Sequence, residues 1–372
     1  MDLPVFFPFQ RPELAPPEQW LPLLEGAYAT HRFSNHGPLA LQLEAELTAR
    51  VGRPVVLAAN GTAAITAALM ALGRSGAVIL PSFTFPATLG AVLQAGLQPV
   101  LADVNAQTWE LDVPSVEAAL QACGMPIAAV LGVRTFGLCR DWTAVQEWCD
   151  MQGVPLVLDS AAALGGTLVT GAAAGSQARM ETFSLHATKV FAVGEGGAIA
   201  CEAQDVALLK RVMNFGLQDG NLAGWGFNGK LSELTAAVGI AQNRNLDLHL
   251  TARRTAARAY ADWMRQDAAA WRAASDPGDS PWQAWPMLAP TAELADRFEK
   301  AAADLQVQTR RYYRPALHTC DSAHAYAFGQ ALPTATALAR RMVCLPMYSR
   351  WQQGELDALL ARLHDAMKSV NA

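Results

Sequence analysis

The amino-acid sequence predicts an α/β protein built on a mostly parallel β-sheet with helices on both faces. Apolar runs rich in β-branched residues alternate with helix-length segments over the first two thirds of the chain. These runs are continuously apolar, which is typical of strands covered on both faces. The 372 residues, 52% of them hydrophobic, are enough for one large domain and a smaller one.

Five apolar runs are predicted as the buried strands of this sheet. In chain order they are Val55–Leu57, Ala77–Leu80, Pro99–Ala102, Ile127–Leu131 and Val154–Leu158. The segments between them include three predicted helices. Pro38–Val51 carries leucine or valine at four-residue steps and a proline near its start, which favours a helix with one apolar face. Ala63–Leu72 and Asp141–Met151 are predicted as helices on the same grounds.

The composition of the chain changes after about residue 245. Arg253, Arg254 and Arg258 lie in an alanine-rich stretch of helical character, and Asp276–Pro281 follows as a loop signal. We therefore predict a large domain over residues 1–245 and a smaller C-terminal α/β domain over residues 246–372.

The charge balance and the cysteines exclude several classes of protein. The formal charge of −5, from 28 Lys+Arg and 33 Asp+Glu without a long basic block, disfavours a nucleic-acid binder. No membrane association is expected, since the most apolar region, residues 58–72, is short and interrupted by Asn60–Thr62, and the first residues lack a basic leader. Six cysteines without a CxxC pair predict reduced thiols in a cytoplasmic protein and no metal site. They are Cys123, Cys139, Cys149, Cys201, Cys320 and Cys344.

Asp159 follows directly after a predicted buried strand. Ligands of open α/β sheets bind at the carboxyl ends of the strands, where this carboxylate could hold a cationic nitrogen. Aspartate is also favoured as a helix N-cap, and Ser160–Ala163 could begin a helix. The residues alone leave both interpretations open.

Lys189 lies between a short apolar strand around Ser184 and a glycine-rich turn, Gly194–Gly197. A lysine held away from water has a lowered pKa and becomes a nucleophile, as a Schiff-base lysine requires. A solvated surface lysine is the simpler alternative, and His186 nearby is equally explained as a structural histidine. The turn does not match GxGxxG, so a nicotinamide site gains little support.

Asn60-Gly61-Thr62 stands between a predicted strand and a predicted helix. The backbone N–H groups of a helix N-terminus bind anions, and the Thr62 hydroxyl would add a donor for a phosphate. An ordinary N-cap turn is the alternative. No Walker lysine follows, which argues against nucleotide triphosphate chemistry.

Taken together and in this order, several segments closely resemble the DegT/DnrJ/EryC1/StrS family, which are sugar aminotransferases dependent on pyridoxal 5′-phosphate (PLP). The matching segments are Asn60–Ala64, Pro81–Thr88, Leu158–Ala161, Phe183–Lys189, Gly194–Gly197, Gly226–Leu234, Tyr312–Pro315 and Leu345–Tyr348. They span nearly the whole chain. The resemblance implies the aspartate-aminotransferase-like fold, PLP fold type I, with the cofactor in the large domain.

The resemblance also implies a role for each matched position. Lys189 matches the lysine that binds PLP as a Schiff base and later moves the proton, and Asp159 matches the partner of the pyridine nitrogen. The cofactor-binding positions are Gly61, Thr62, Phe85, Asp159, Ser184, Lys189 and Asn228. Among them, Gly61, Thr62 and Ser184 match the phosphate cradle, and Phe85 matches an aromatic ring that stacks on the pyridine. Asn228 matches an asparagine that reaches the phosphate of a neighbouring subunit, which implies a homodimer with shared active sites.

Three positions depart from the family pattern. Ala162 stands where glutamine or histidine usually contacts the cofactor, so that contact must be absent or replaced. Val190 replaces a common asparagine, and Gly229-Lys230 replaces the more usual Tyr-Arg. This loop therefore lacks the usual residues for recognition of the amino donor's carboxylate. Lys189 itself is intact, which disfavours the related dehydratases that carry histidine there.

The resemblance predicts an aminotransferase that moves an amino group from glutamate, or from glutamine, to a keto sugar by a ping-pong mechanism. His186–Phe191 is most similar to the branch that acts on dTDP-linked keto-deoxyhexoses. The alternatives are an aminocyclitol-type ketone as substrate and a non-catalytic PLP-binding regulator. A lyase or desulfurase of the same fold would need a mobile-loop cysteine or a further acid, for which no motif is present.

Overall fold

The computed structural model describes residues 6–275 and 278–371. The α-helices are α1 Pro17–Trp20, α2 Glu25–Thr30, α3 Pro38–Val51, α4 Gly61–Ala71, α5 Pro86–Gln94, α6 Val113–Cys123, α7 Thr143–Gln152, α8 Val206–Val212, α9 Glu233–Asp267, α10 Ala292–Asp304, α11 Pro333–Arg341 and α12 Glu355–Asn371. The strands are β1 Val55–Ala58, β2 Ala77–Pro81, β3 Gln98–Ala102, β4 Ile127–Val133, β5 Leu156–Asp159, β6 Met180–Ser184, β7 Gly197–Cys201, β8 Leu217–Gln218, β9 Asn221–Leu222, β10 Arg272–Ala273, β11 Trp285–Leu288 and β12 Met342–Leu345.

A seven-stranded sheet in the order β1-β7-β6-β5-β4-β2-β3 forms the centre of the molecule. The pairs β2–β3, β2–β4, β4–β5 and β5–β6 are parallel, and only β7 runs against its two neighbours. The predicted mostly parallel α/β sheet is therefore confirmed. All strands except β7 end at the same edge, so the residues that follow β1, β2, β5 and β6 meet there.

The five predicted strands are all present, and their bounds differ by at most two residues. Differences of two residues occur at the end of β4, which extends to Val133, and at the start of β5, which begins at Leu156 instead of Val154. The N–H of Val154 donates to the carbonyl of Cys149 at 2.9 Å and closes the end of α7, and Pro155 has no N–H to give to a sheet. Val154 and Pro155 therefore belong to the segment that closes the end of α7 and not to β5.

The predicted helices are also present, with small shifts at their starts. Pro38–Val51 matches α3. Helix α4 begins at Gly61, two residues earlier than predicted, because the Asn60 side chain caps it. Helix α7 begins at Thr143 because the Asp141 carboxylate accepts hydrogen bonds from the N–H and the hydroxyl of that threonine.

The C-terminal part carries the antiparallel sheet β10-β11-β12 together with α10, α11 and α12. The domain boundary predicted at residue 245 falls inside α9, a continuous helix of 35 residues, so no loop marks it. The division into domains remains a prediction. Phe7 pairs with Val307 in a parallel bridge, so the N-terminal segment packs on the C-terminal part. Of the predicted 276–281 loop, Asp276 and Pro277 lie outside the described residues.

All six cysteines are free thiols. None of the helices in the described part of the chain combines the length and the apolar composition needed to cross a membrane.

Candidate active site

A cavity of about 790 Å³ opens at the edge of the sheet where the parallel strands end. All seven positions predicted to bind the cofactor line it. They are Gly61, Thr62, Phe85, Asp159, Ser184, Lys189 and Asn228. Segments up to 167 positions apart in sequence therefore form one site, because each follows a strand, or pairs beside one, at this edge.

Lys189 lies in the loop that follows β6. The loop is held by backbone hydrogen bonds from the N–H of Lys189 to the carbonyl of His186, 2.8 Å, and from the N–H of Ala187 to the carbonyl of Gly194, 2.7 Å. Burial lowers the pKa of the Lys189 amine, the nearby Asp159 carboxylate opposes that shift, and the Arg253 guanidinium adds to it. A larger fraction of the Lys189 amine is therefore neutral and nucleophilic than in a surface lysine at the same pH.

Asp159 ends β5 and is only 6% exposed. Its Oδ2 accepts a hydrogen bond from the Thr88 hydroxyl at 2.8 Å, and its Oδ1 accepts one from the N–H of Ala161 at 3.1 Å. Burial raises the pKa of the carboxyl, while these two hydrogen bonds and Lys189 oppose the rise. The residues after Asp159 form a turn rather than a helix, so the N-cap alternative does not apply.

The start of α4 and the end of β6 form a cradle suited to a phosphate. The Asn60 side chain accepts from the N–H of Ala63 at 2.8 Å, so it is the ordinary cap that the sequence allowed. The first-turn N–H groups of Gly61 and Thr62 lack helical partners, as at every helix start. A Cβ added at Gly61 would lie 2.9 Å from the Ser184 Cβ and 3.3 Å from its Oγ, so glycine allows this close approach. These donors and hydroxyls fit the phosphate of PLP.

Phe85 and Asn228 lie on other walls of the cavity. Phe85 precedes α5 and is 55% exposed, so its ring is available for stacking. The Asn228 Oδ1 accepts a hydrogen bond from Lys230 Nζ at 2.8 Å. The carbonyl of Gly229 accepts from the N–H of Ala59 at 2.7 Å and holds this segment beside the end of β1. Asn228 thus lines the cavity of its own chain, and its predicted contact with a neighbouring subunit remains a prediction.

Sequence reasoning gave no role to several residues in or beside the cavity. Thr88 and Tyr313 stand in segments that carry the family resemblance, but only the packing shows that Thr88 bonds to Asp159 and that Tyr313 faces the cavity. Gln283 also lines the cavity, and its Nε2 donates to the carbonyl of Thr188 at 2.8 Å. Gln283 lies 94 positions after Lys189, and no local pattern marks it.

The cavity wall also contains a buried ion pair. Arg134, which lines the cavity, donates from Nε to Glu181 Oε1 at 2.7 Å, and both side chains are fully buried. The Ser160 hydroxyl donates to the same oxygen at 2.6 Å. The Arg134 charge is therefore already neutralised within the wall and is not free to bind a substrate anion. Ala162 also lines the cavity, and its side chain is only a methyl group.

The similarity to known proteins covers the whole site. Residues 18–364 match the model of the DegT/DnrJ/EryC1/StrS aminotransferase family. A dTDP-4-amino-4,6-dideoxy-D-glucose transaminase of Shigella dysenteriae is 28% identical over 98% of this chain and 100% of its own.

Two solved structures are similar in fold and sequence. DesI, crystallised in the presence of its TDP-sugar product, has a TM-score of 0.85 at 30% identity and covers 98% of this chain and 93% of its own. NtdA from Bacillus subtilis, with bound cofactor PMP, has a TM-score of 0.83 at 25% identity over 98% and 88% of the two chains.

Proposed function

The chain belongs to the DegT/DnrJ/EryC1/StrS aminotransferase family and is a PLP-dependent aminotransferase, and we propose that it transfers an amino group from glutamate to a nucleotide-linked keto sugar. The observation that carries the proposal is the placement of Lys189 and Asp159 in one cavity beside the cradle formed by Gly61, Thr62 and Ser184. This combination provides a nucleophilic amine, a partner for a ring nitrogen and an anion site.

PLP, when bound, supplies an aldehyde carbon that takes up the amino nitrogen and a ring that accepts the electron pair left after proton removal. Lys189 would hold this group through Nζ. After release, the Lys189 amine would take the proton from the carbon that bears the nitrogen and return it at C4′ of the cofactor. The lowered pKa of Lys189 favours the neutral amine that this proton transfer needs.

The Asp159 carboxylate would face the ring nitrogen and keep its proton in place. Its hydrogen bonds from Thr88 and Ala161 hold it in this orientation before the ligand binds. The first-turn N–H groups of α4 and the Ser184 and Thr62 hydroxyls would bind the phosphate. Phe85 would cover one face of the ring. In both halves of the ping-pong cycle, these residues would hold the reacting carbon beside Lys189, first with the amino donor and then with the keto acceptor in the cavity.

We infer a dTDP-linked keto-deoxyhexose as the acceptor. The similarity of His186–Phe191 to that branch supports this choice, as do the names of the Shigella relative and of DesI. A cavity of about 790 Å³ lies within the usual range for small-molecule sites and exceeds the space that the cofactor alone would fill. Glutamate is the proposed donor, with glutamine as the second choice.

We also infer a homodimer with shared active sites in the cytoplasm. Large apolar side chains are exposed in the segment that leads to Asn228. They are Phe215, Leu217, Leu222 and Trp225, and the Trp225 side chain is 85% exposed. Such a patch is expected to be covered by a second copy. The free thiols of the six cysteines support a reducing compartment.

The proposal is tested by following the visible absorption of the PLP-loaded protein. Glutamate should bleach the colour, and a dTDP-linked 4-keto-6-deoxyhexose should restore it and yield the amino sugar by mass spectrometry. A GDP-linked keto sugar and a keto-cyclitol serve as competing acceptors. Restoration of the colour by the keto-cyclitol alone would favour the aminocyclitol alternative. A coloured protein that responds to no amino donor would favour a non-catalytic regulator and contradict the proposal.

A further inference from the structure

Tyr313 lines the active-site cavity and has no part in the chemistry described so far. Its ring stacks on Phe136 with a centroid distance of 5.5 Å and an interplanar angle of 4°. The ring also meets Phe83 edge to face at 5.2 Å. These two aromatic contacts fix the plane of the Tyr313 ring and hence the position of its hydroxyl group.

The Tyr313 hydroxyl is a proton donor without an acceptor in the described part of the chain. Burial raises the pKa of Tyr313 and the Asp159 carboxylate adds to the rise, while the backbone amide of Phe136 opposes it. The group therefore stays protonated at physiological pH. Phe136, on which the Tyr313 ring stacks, lies three residues after Val133, and Val133 pairs in register with Asp159. The Tyr313 and Asp159 side chains therefore lie at the same part of the sheet edge.

Several other polar side chains in or beside the cavity are already engaged. Thr88 donates to Asp159, so in the 2.9 Å contact between the Thr84 and Thr88 hydroxyls it is Thr84 that donates. His186 is bonded to the Thr188 hydroxyl at 2.8 Å. Ala162 offers no polar group. Tyr313 thus has a fixed hydroxyl group whose oxygen accepts from the N–H of Phe136 and whose hydrogen is available for a ligand.

We propose that Tyr313 donates a hydrogen bond to the phenolic oxygen of bound PLP. This inference rests on the proposed role of Asp159 at the ring nitrogen. The phenolic oxygen is attached two ring atoms from that nitrogen, so a donor in the region of Asp159 is suitably placed for it. The oxygen carries negative charge in the bound cofactor, and a hydrogen bond to a charged acceptor is stronger than one between neutral groups. Tyr313 would fill the role that the methyl group of Ala162 cannot.

The test is a pH titration of the visible absorption of the PLP-loaded protein. A donor to the phenolic oxygen makes that oxygen a poorer acceptor for the proton on the nitrogen attached to Lys189. Tyr313→Phe should therefore raise the midpoint of the colour change by about one to two pH units, given the usual strength of a hydrogen bond to a charged group. The matched control is Tyr312→Phe, since Tyr312 lines the same cavity but its ring contacts Phe9.

A midpoint that stays at the wild-type value in Tyr313→Phe, or that moves equally in both variants, would overturn the proposal. Because Tyr313→Phe keeps the ring that stacks on Phe136, its melting temperature should stay close to that of the wild type. If that variant does not retain PLP, 3-fluorotyrosine at position 313 gives a stronger donor with the same shape, and the midpoint should then fall.

Bleaching by glutamate is followed on the same samples. Wild-type protein that is coloured but not bleached by glutamate would contradict the proposed function, whereas equal midpoints with intact bleaching would contradict only the role of Tyr313.

Discussion

Thr88 donates a hydrogen bond from its hydroxyl to Oδ2 of Asp159 at 2.8 Å. The two residues lie on α5 and at the end of β5, so the contact joins a helix to the sheet edge. The Thr84 hydroxyl donates to Thr88 in turn. Asp159 is thus oriented by a short chain of hydroxyl groups that ends on its carboxylate, and this orientation exists in the protein without any ligand.

Asp159→Asn should lower turnover by at least about 100-fold, in keeping with the loss of a preorganised charge at a reacting centre. Single-turnover amination, followed by absorption, checks this. Asp159→Glu, which keeps the charge, is the matched variant and should retain more activity. Wild-type turnover in Asp159→Asn would remove the proposed role.

The same substitution should stabilise the protein when no cofactor is bound. Burial raises the pKa of Asp159 in the folded state, so that state binds more protons than the unfolded chain, and the free energy of unfolding falls as the pH rises through this range. At pH 7, PLP-free Asp159→Asn should therefore melt at a higher temperature than PLP-free wild type. The difference should shrink below the pKa of an unfolded aspartate. A lower melting temperature at pH 7 would contradict this account.

Lys189 should be the residue that binds PLP covalently. Borohydride reduction should fix the cofactor on Lys189, and peptide mass spectrometry can distinguish it from the four other lysines of the chain, 210, 230, 300 and 368. Lys189→Ala should lose at least about 1000-fold in activity, as expected for removal of a covalent nucleophile. Lys300→Ala, at an exposed ion pair with Asp304, is the control and should be fully active. A label on another lysine would disprove the assignment.

Gly61→Ala should weaken the binding of PLP. The new Cβ would lie 2.9 Å from the Ser184 Cβ, so the cradle must open. We expect the dissociation constant to rise about ten-fold or more, since overpacking typically costs 1–3 kcal/mol. Gly90→Ala in α5 is the matched control, because a Cβ there meets no atom within 4 Å. Equal affinities in the two variants, measured by fluorescence titration, would argue against a tight cradle at Gly61.

Two inactive variants should restore activity to each other if the active sites are shared. Lys189→Ala and Asn228→Ala, mixed and reassembled, should recover about a quarter of wild-type activity, since half of the dimers are hybrid and each hybrid has one intact site. Asn228→Ala alone must first be shown to lose cofactor. If Asn228 serves the cavity of its own chain, no hybrid site has both residues, and activity will not return.

The sequence predicts the sheet well because each buried strand is a continuous apolar run. Pro38–Val51 is predicted to the residue because its apolar face and its proline are local signals. The continuity of α9 across residue 245 was not predicted, because the change in composition there is a change in surface chemistry and not a break in helical character. The seven site positions were predicted through motifs and all line one cavity, while their roles remain predictions. The bond between Thr88 and Asp159, 71 positions apart, depends on how helices pack on the sheet, which no local pattern encodes.

Helix α9 also has a mechanical consequence. Its 35 residues extend for about 50 Å at 1.5 Å per residue, and the helix passes from the predicted large domain into the predicted small one. A continuous helix of this length resists bending, so we expect no closure of the two parts over a substrate by hinging at residue 245. The radius of gyration in solution scattering should accordingly stay constant when substrate binds.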